Sequence, residues 1–203
     1  IWFEEIVKML ISNYTMVDLG FFEDSKNLDN KGNFCYVTFD DGDKSFYSIA
    51  YPVLKKYKVP TTIFVSPEII KTHKNFWFQE AIDFEPALIY KILSQELMLP
   101  LKKIEKFPFF NILKCLPIYK IYELIELYNA STGANPKPAQ NMNLEEIIEV
   151  ESSGLFTIGA HTLNHPILKN ENDFVSNNEI TNSIQLLNNL LGHDIRYFAY
   201  PNG

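Results

Sequence analysis

A β-branched and aromatic run, Tyr36-Val37-Thr38-Phe39, ends abruptly in Asp40-Asp41-Gly42. Val37, Thr38 and Phe39 suit a strand, and Asp-Gly stops one. Two adjacent carboxylates therefore stand at the tip of an expected strand, where α/β proteins place their chemistry. Adjacent carboxylates repel, a cost accepted at sites that bind a metal or move a proton. The same pattern is also a plain turn, so partners elsewhere in the chain decide between the two readings.

The flanking segments set an α/β frame. Phe3, Ile6, Val7, Leu10 and Ile11 recur at helical spacing over Trp2 to Tyr14. Val17 to Phe22 reads as a short extended piece and Glu23 to Asn33 as a polar loop. The strand is expected over Phe34 to Phe39. Asp43 is placed to cap a helix over Lys44 to Lys58, which Pro52 should kink or divide. Thr61 to Val65 is a second strand, and Ser66-Pro67 opens a turn or helix. Helix, strand, helix, strand in this order predicts parallel pairing.

Residues 73–142 break that rhythm. Helical patterns occupy Trp77 to Gln95 and Ile118 to Asn129, and Ser131 to Gln140 is a proline-punctuated loop. This reads as a mostly helical insertion that either shapes a cleft or simply covers the fold. Asn143 with Glu146 starts a helix in the manner of a capping box, ending near Gly154. Leu155 to Gly159 is a third strand. Asp173 to Leu191 is an amphipathic helix with Ile180, Ile184, Leu187 and Leu191 on one face and Gly192 as its C-cap. Ile195 to Ala199 is a fourth strand.

The third strand runs into His161-Thr162-Leu163-Asn164-His165-Pro166. Two of the four histidines of the chain stand here, with three residues between them, a spacing that can face one ion. Pro166 favours a compact loop over a helix. Two imidazoles and a carboxylate from the first strand end form a mixed N and O donor set suited to zinc or a similar divalent ion. Such a set leaves positions open for water and substrate.

Composition narrows the partners. The 203 residues carry 25 acidic and 18 basic side chains, a net charge of −7, which argues against nucleic acid and anionic membrane surfaces as nonspecific partners. Cys35 and Cys115 are too few for a disulfide framework and read as inert thiols. No run reaches the ~18 apolar residues needed for a transmembrane segment. No signal peptide is visible, and the chain opens on Ile1, so localisation is not legible in these residues.

Three segments together resemble a family. Thr38-Phe39-Asp40-Asp41-Gly42, His161-Thr162-Leu163-Asn164-His165-Pro166 and Phe198-Ala199-Tyr200-Pro201-Asn202-Gly203 are similar to the first three motifs of the polysaccharide deacetylases, in the family's order. The resemblance implies an α/β fold, a distorted (β/α) barrel of seven or eight strands that is partial here, with residues 73–142 inserted into a catalytic domain over 1–203. It implies a metal-dependent hydrolase that removes N-acetyl groups from an N-acetylglucosamine-containing polysaccharide by attack of metal-bound water. Asp41, His161 and His165 would hold the metal, most naturally zinc, and Asp40 would be the catalytic base. Pro201 and Asn202 would face the substrate and oxyanion, with Thr162 and Tyr200 in support. By the same resemblance the setting is the cell envelope or the exterior.

The chain also departs from the common pattern. Ala199 stands where many relatives have an arginine, and Phe198-Ala199-Tyr200-Pro201 resembles the branch related to poly-N-acetylglucosamine deacetylases. Arg196 is expected in a surface or interstrand ion pair. No counterpart of the family's later motifs, including the general acid, precedes Gly203. The resemblance therefore implies a domain incomplete at its C-terminus, which assembles most of the metal site and turns over little or not at all. Two alternatives remain open: an amidase for a small non-peptide amide, and an inactive glycan-binding scaffold.

Overall fold

The computed structural model describes residues 2–24, 27 and 31–202. The expected loop over Glu23 to Asn33 and the terminal Gly203 thus lie partly outside the described residues. The architecture is mixed α/β, and the strands of both sheets pair in parallel. Strands β1 (Thr15–Met16) and β2 (Phe34–Cys35) form one parallel pair. Strands β3 (Val37–Phe39), β4 (Thr61–Val65) and β5 (Phe156–Ala160) form a second sheet in the order β3-β4-β5, with Phe39 beside Ile63 and Val65 beside Ala160.

Parallel pairing has a direct consequence for the site. All three strands of the second sheet end on the same edge, so Asp40-Asp41 after β3 and His161 after β5 emerge together. Gly159 lets another segment come close. A Cβ there would stand 2.5 Å from the Phe64 ring and 3.1 Å from the Tyr197 carbonyl, so no larger residue fits.

Several elements differ from their sequence expectation. The strand over 34–39 is divided at Tyr36, with β2 serving one sheet and β3 the other. A continuous β pattern does not reveal such a change of partner. The segment Val17 to Phe22 is mostly a 3₁₀ turn over Leu19–Glu23, capped by the Asp18 side chain on the Phe21 N–H. The fourth strand contracts to one bridge, Phe198 to Ala160. Its neighbour Ile195 donates its N–H to the Asn188 side chain instead of a ladder, at 2.7 Å. A helical run expected over Trp77 to Gln95 is two helices, Trp77–Ala81 and Pro86–Glu96. Pro86 forces Glu85 into extended backbone, and the Glu85 carboxylate caps Ala87 and Leu88.

Other expectations hold locally. Pro52 divides its helix: a π-helical turn over Phe46–Ala50 closes with the Tyr51 N–H on the Phe46 carbonyl, and an α-helix follows over Tyr51–Tyr57. The Asn143 and Glu146 side chains form the reciprocal capping box of helix Leu144–Ser152. Gly192, at φ 77°, ends helix Asp173–Leu191.

Two apolar cores form. One lies between the sheet and its helices, with Leu54, Ile63, Val65, Ile147 and Ile158 at its centre. The other belongs to the helical stretch, where Trp77, Ile89, Leu93, Leu113, Ile121 and Leu124 pack on one another. Burial of these side chains drives each cluster at roughly 25 cal/mol per Å² of apolar surface. The helical stretch therefore has a packing centre of its own and lies beside the edge where the three strands end. Among the described residues no helix is long and apolar enough to cross a membrane.

Candidate metal centre

The two strand ends build one cluster. His161 continues β5, and its N–H donates to the Val65 carbonyl at 3.0 Å. The Ser66 hydroxyl donates to the His161 carbonyl at 2.9 Å. The ring is oriented from behind: Nδ1 lies 2.9 Å from the Ala199 carbonyl, which can only accept. Nδ1 therefore carries the proton, and the Nε2 lone pair is free. This partner is a main-chain oxygen, so an alanine at position 199 supplies it as well as any residue.

Asp41 lies across from both imidazoles. Its Oδ1 is 3.6 Å from His161 Nε2 and 3.3 Å from His165 Nε2. Asp41, His161 and His165 offer one donor atom each, all within 4.8 Å of one another. Both histidines are buried, and Asp41 Oδ1 is buried with no hydrogen-bond partner. Burial raises the Asp41 pKa above the usual carboxylate range; the nearby His161 opposes this, while Asp40 and Asp43 add to it. Burial and the adjacent His161 push His165 down to about 4. Near neutral pH, His165 is thus an uncharged ring facing a carboxylate oxygen that accepts nothing. A divalent cation among these three donors satisfies the orphaned oxygen and uses both Nε2 lone pairs, so the residues fit a metal, while His165 Nδ1 stays buried without a hydrogen-bond partner.

The loop geometry is strained where it matters. Seven described non-glycine residues have positive φ, and four belong to this site: Asp41 at 70°, Thr162 at 63°, His165 at 59° and Asn202 at 62°. Such backbone persists where surrounding contacts over-determine it, and it concentrates at functional sites. Gly42 follows Asp41 at φ 72°, and a Cβ there would touch Val65 at 3.0 Å. That pair of left-handed residues turns the chain sharply after Asp40.

The remaining sequence candidates fall into distinct places. Asp40 is exposed, and among the described residues its carboxylate has no hydrogen-bond or ion-pair partner. It lines a cleft of about 500 Å³ with Asp41, His161, His165 and Asn202. Thr162 is fully buried behind the loop; its hydroxyl donates to the His161 carbonyl and accepts the His165 N–H at 3.1 Å. Pro201 is buried beside Asn202 and is not part of the cleft wall. Tyr200 is exposed, packs edge-on against Phe198 and also stands outside the wall. Arg196 pairs with Glu23 at the surface, away from Asp40.

Four residues that contact the histidines or their loop do not stand out in the sequence. Trp77 donates its indole N–H to the His165 carbonyl at 3.3 Å. Phe76 and Phe78 flank the His165 ring, with centroids 5.3 and 5.2 Å away. The unbroken aromatic run Phe76-Trp77-Phe78 is the available signal, but the helical pattern that starts at Trp77 accounts for most of it without a site. Glu179, on helix Asp173–Leu191, binds the loop between the two histidines. The helical stretch also supplies Ile82, Phe110, Asn111 and Lys114 to the cleft wall.

Known proteins of similar fold and sequence place this centre in context. The structure resembles the Streptococcus pyogenes deacetylase PplD in complex with acetate, at a TM-score of 0.59 and 20% identity over 99% of this chain and 61% of that one. It also resembles IcaB from Ammonifex degensii, at 0.60 and 21% over 99% of this chain and 65% of that one. A poly-beta-1,6-N-acetyl-D-glucosamine N-deacetylase of Staphylococcus aureus (strain MSSA476) is 53% identical over 30 residues, 15% of this chain and 10% of the relative. The chain thus spans less than two thirds of each of these proteins. Residues 27–203 match the family model of polysaccharide deacetylases, a span that holds both strand-end clusters and the Ala199 carbonyl behind them. The chain belongs to the polysaccharide deacetylase family.

Proposed function

We propose that this chain is the catalytic part of a metal-dependent N-deacetylase acting on a polymer of N-acetylglucosamine. The observation that carries the reading is the buried, unpartnered Asp41 Oδ1 facing two imidazole nitrogens at the floor of a cleft. Family membership supplies the reaction class. The β-1,6-linked polymer named in the staphylococcal relative is the substrate we favour.

Asp41, His161 and His165 would hold the ion, and zinc suits their N, N, O donor set. Such an ion makes water acidic near neutral pH and polarises an amide carbonyl. The chain's own residues do the rest. Asp40, exposed at the cleft and free of partners, accepts a proton at a carboxylate oxygen as general base. In this reading one carboxylate serves the ion and its neighbour serves the proton. Asn202 borders the same space and is our candidate to stabilise charge on the acetamide oxygen. Pro201 and Tyr200 support that turn from outside the cleft wall, and Thr162 braces the histidine loop from beneath it.

We read the parallel strands as an arc of a distorted (β/α) barrel within one catalytic domain over 1–203. Residues 73–142 are read as an insertion whose Phe78, Phe110 and Lys114 form the cleft wall facing Asp40 and Asn202. Separate packing of the helical core and the likeness to deacetylase structures support this reading.

Acetate release from β-1,6-linked N-acetylglucosamine oligomers by the full-length protein tests the function. Metal-dependent release is expected, abolished by chelation and restored by zinc. Release from small non-sugar amides alone would replace this reading with the amidase, and tight oligomer binding without hydrolysis would replace it with the scaffold.

A further inference from the structure

Glu179 is 6% exposed, and a buried carboxylate is costly unless partners compensate it. It lies one third of the way along helix Asp173–Leu191, on the inward row it shares with Ser183 and Leu187. Its hydrogen-bonding partners all lie in the loop between His161 and His165. Oε2 accepts the Leu163 N–H at 2.8 Å and the Asn164 N–H at 2.9 Å. Oε1 accepts from the Asn164 side-chain amide at 2.8 Å. Two consecutive main-chain N–H groups converging on one oxygen form an anion-binding arrangement of the backbone.

The loop has little else to fix its middle. Thr162 ties its two ends together, donating to the His161 carbonyl and accepting from the His165 N–H. Thr162 and His165 are both left-handed, so the backbone is held in a conformation it would otherwise leave. The helix that carries Glu179 packs on β5, the strand that ends in His161. Glu179 therefore refers the loop to the same rigid body that aims the first histidine.

We infer that Glu179 is a positioning residue for the metal centre, holding Leu163 and Asn164 so that the His161 and His165 Nε2 atoms converge on Asp41. The inference rests on reading that centre as a metal site. The three hydrogen bonds to the Glu179 side chain, set by its reach, provide the restraint, and Glu179 acts on the centre only through this loop.

Zinc affinity, measured by competition with a chromophoric chelator, tests this alongside the visible spectrum of the cobalt(II) form. Glu179→Ala is expected to weaken zinc binding by about 10- to 100-fold. Glu179→Asp keeps the charge but shortens the reach, and remains informative if the alanine variant does not fold; a loss of about 10-fold is expected. Glu179→Gln should stay within about threefold of wild type, because its oxygen can take both main-chain N–H groups while Asn164 turns its amide to accept from the new NH₂. The cobalt spectrum should follow the same order. Unchanged affinity in Glu179→Asp, even with a lowered Tm, overturns the positioning role. A glutamine variant as weak as the aspartate variant also overturns it, since charge rather than hydrogen-bond reach would then be responsible. Wild-type protein that binds no zinc overturns the metal reading itself, an outcome distinct from both.

Discussion

Asp41 Oδ1 stands 3.3 Å from His165 Nε2, and the aspartate oxygen, although buried, hydrogen-bonds to nothing. Burial drives both groups toward their uncharged forms, raising the Asp41 pKa and lowering that of His165. A divalent cation reverses the cost for the carboxylate and uses the neutral imidazole as it stands. Metal should therefore stabilise the folded chain. At a free zinc concentration 100 times Kd, stability should rise by about 2.7 kcal/mol. Asp41→Asn should fold and lose most of that gain, as read by thermal denaturation with and without zinc.

Asp40 separates chemistry from binding. Its side chain is exposed at the cleft, the carboxylate has no hydrogen-bond or ion-pair partner among the described residues, and it adjoins Asp41, the proposed ligand. In the full-length protein, Asp40→Asn should retain one metal per chain while kcat for deacetylation falls by about 10²- to 10⁴-fold. Metal analysis and acetate release on the same preparation check both halves. Loss of metal in this variant would place Asp40 among the ligands.

His165 gives the metal-free protein an acid-sensitive element. Its imidazole titrates near 6.5 in the unfolded chain. Burial holds it near 4 when folded. Between those values the unfolded chain binds the extra proton. The associated stability is fully present above about pH 6.5 and is lost as pH falls toward 4, on the order of 3 kcal/mol. Urea denaturation in the presence of chelator should show this fall, and His165→Gln should flatten it.

Leu124, in the part of the helical core remote from Trp77's contact with His165, should be separable from the centre. Leu124 is fully buried among Ile89, Leu93 and Ile121, away from the strand ends. Leu124→Ala should cost about 2–5 kcal/mol in denaturant unfolding. Zinc affinity of the folded protein should change by less than about threefold, since none of the three donor residues belongs to that core.

The sequence exposes what local chemistry marks. Carboxylates after Phe39 and imidazoles after Ala160 stand out because strand ends seldom gather such groups, and parallel pairing then brings them to one edge. Capping boxes and a C-terminal glycine are equally local, so Asn143, Glu146 and Gly192 were readable. What escaped depends on distant partners. Strand character over Ile195 to Ala199 gives no sign that Asn188 captures the Ile195 N–H. A single acid at position 179 looks like an exposed helical residue until the histidine loop folds over it. Trp77 fitted a helical pattern, and its indole contact with the His165 carbonyl spans 88 residues.

Metal content of the purified chain tests the central assignment most directly. After loading with zinc and removal of excess, elemental analysis should find one equivalent per wild-type chain and close to none in His161→Ala, with both proteins giving the same far-ultraviolet circular dichroism. No bound divalent metal in the wild type, or an equal equivalent in His161→Ala, would contradict a centre built from Asp41, His161 and His165.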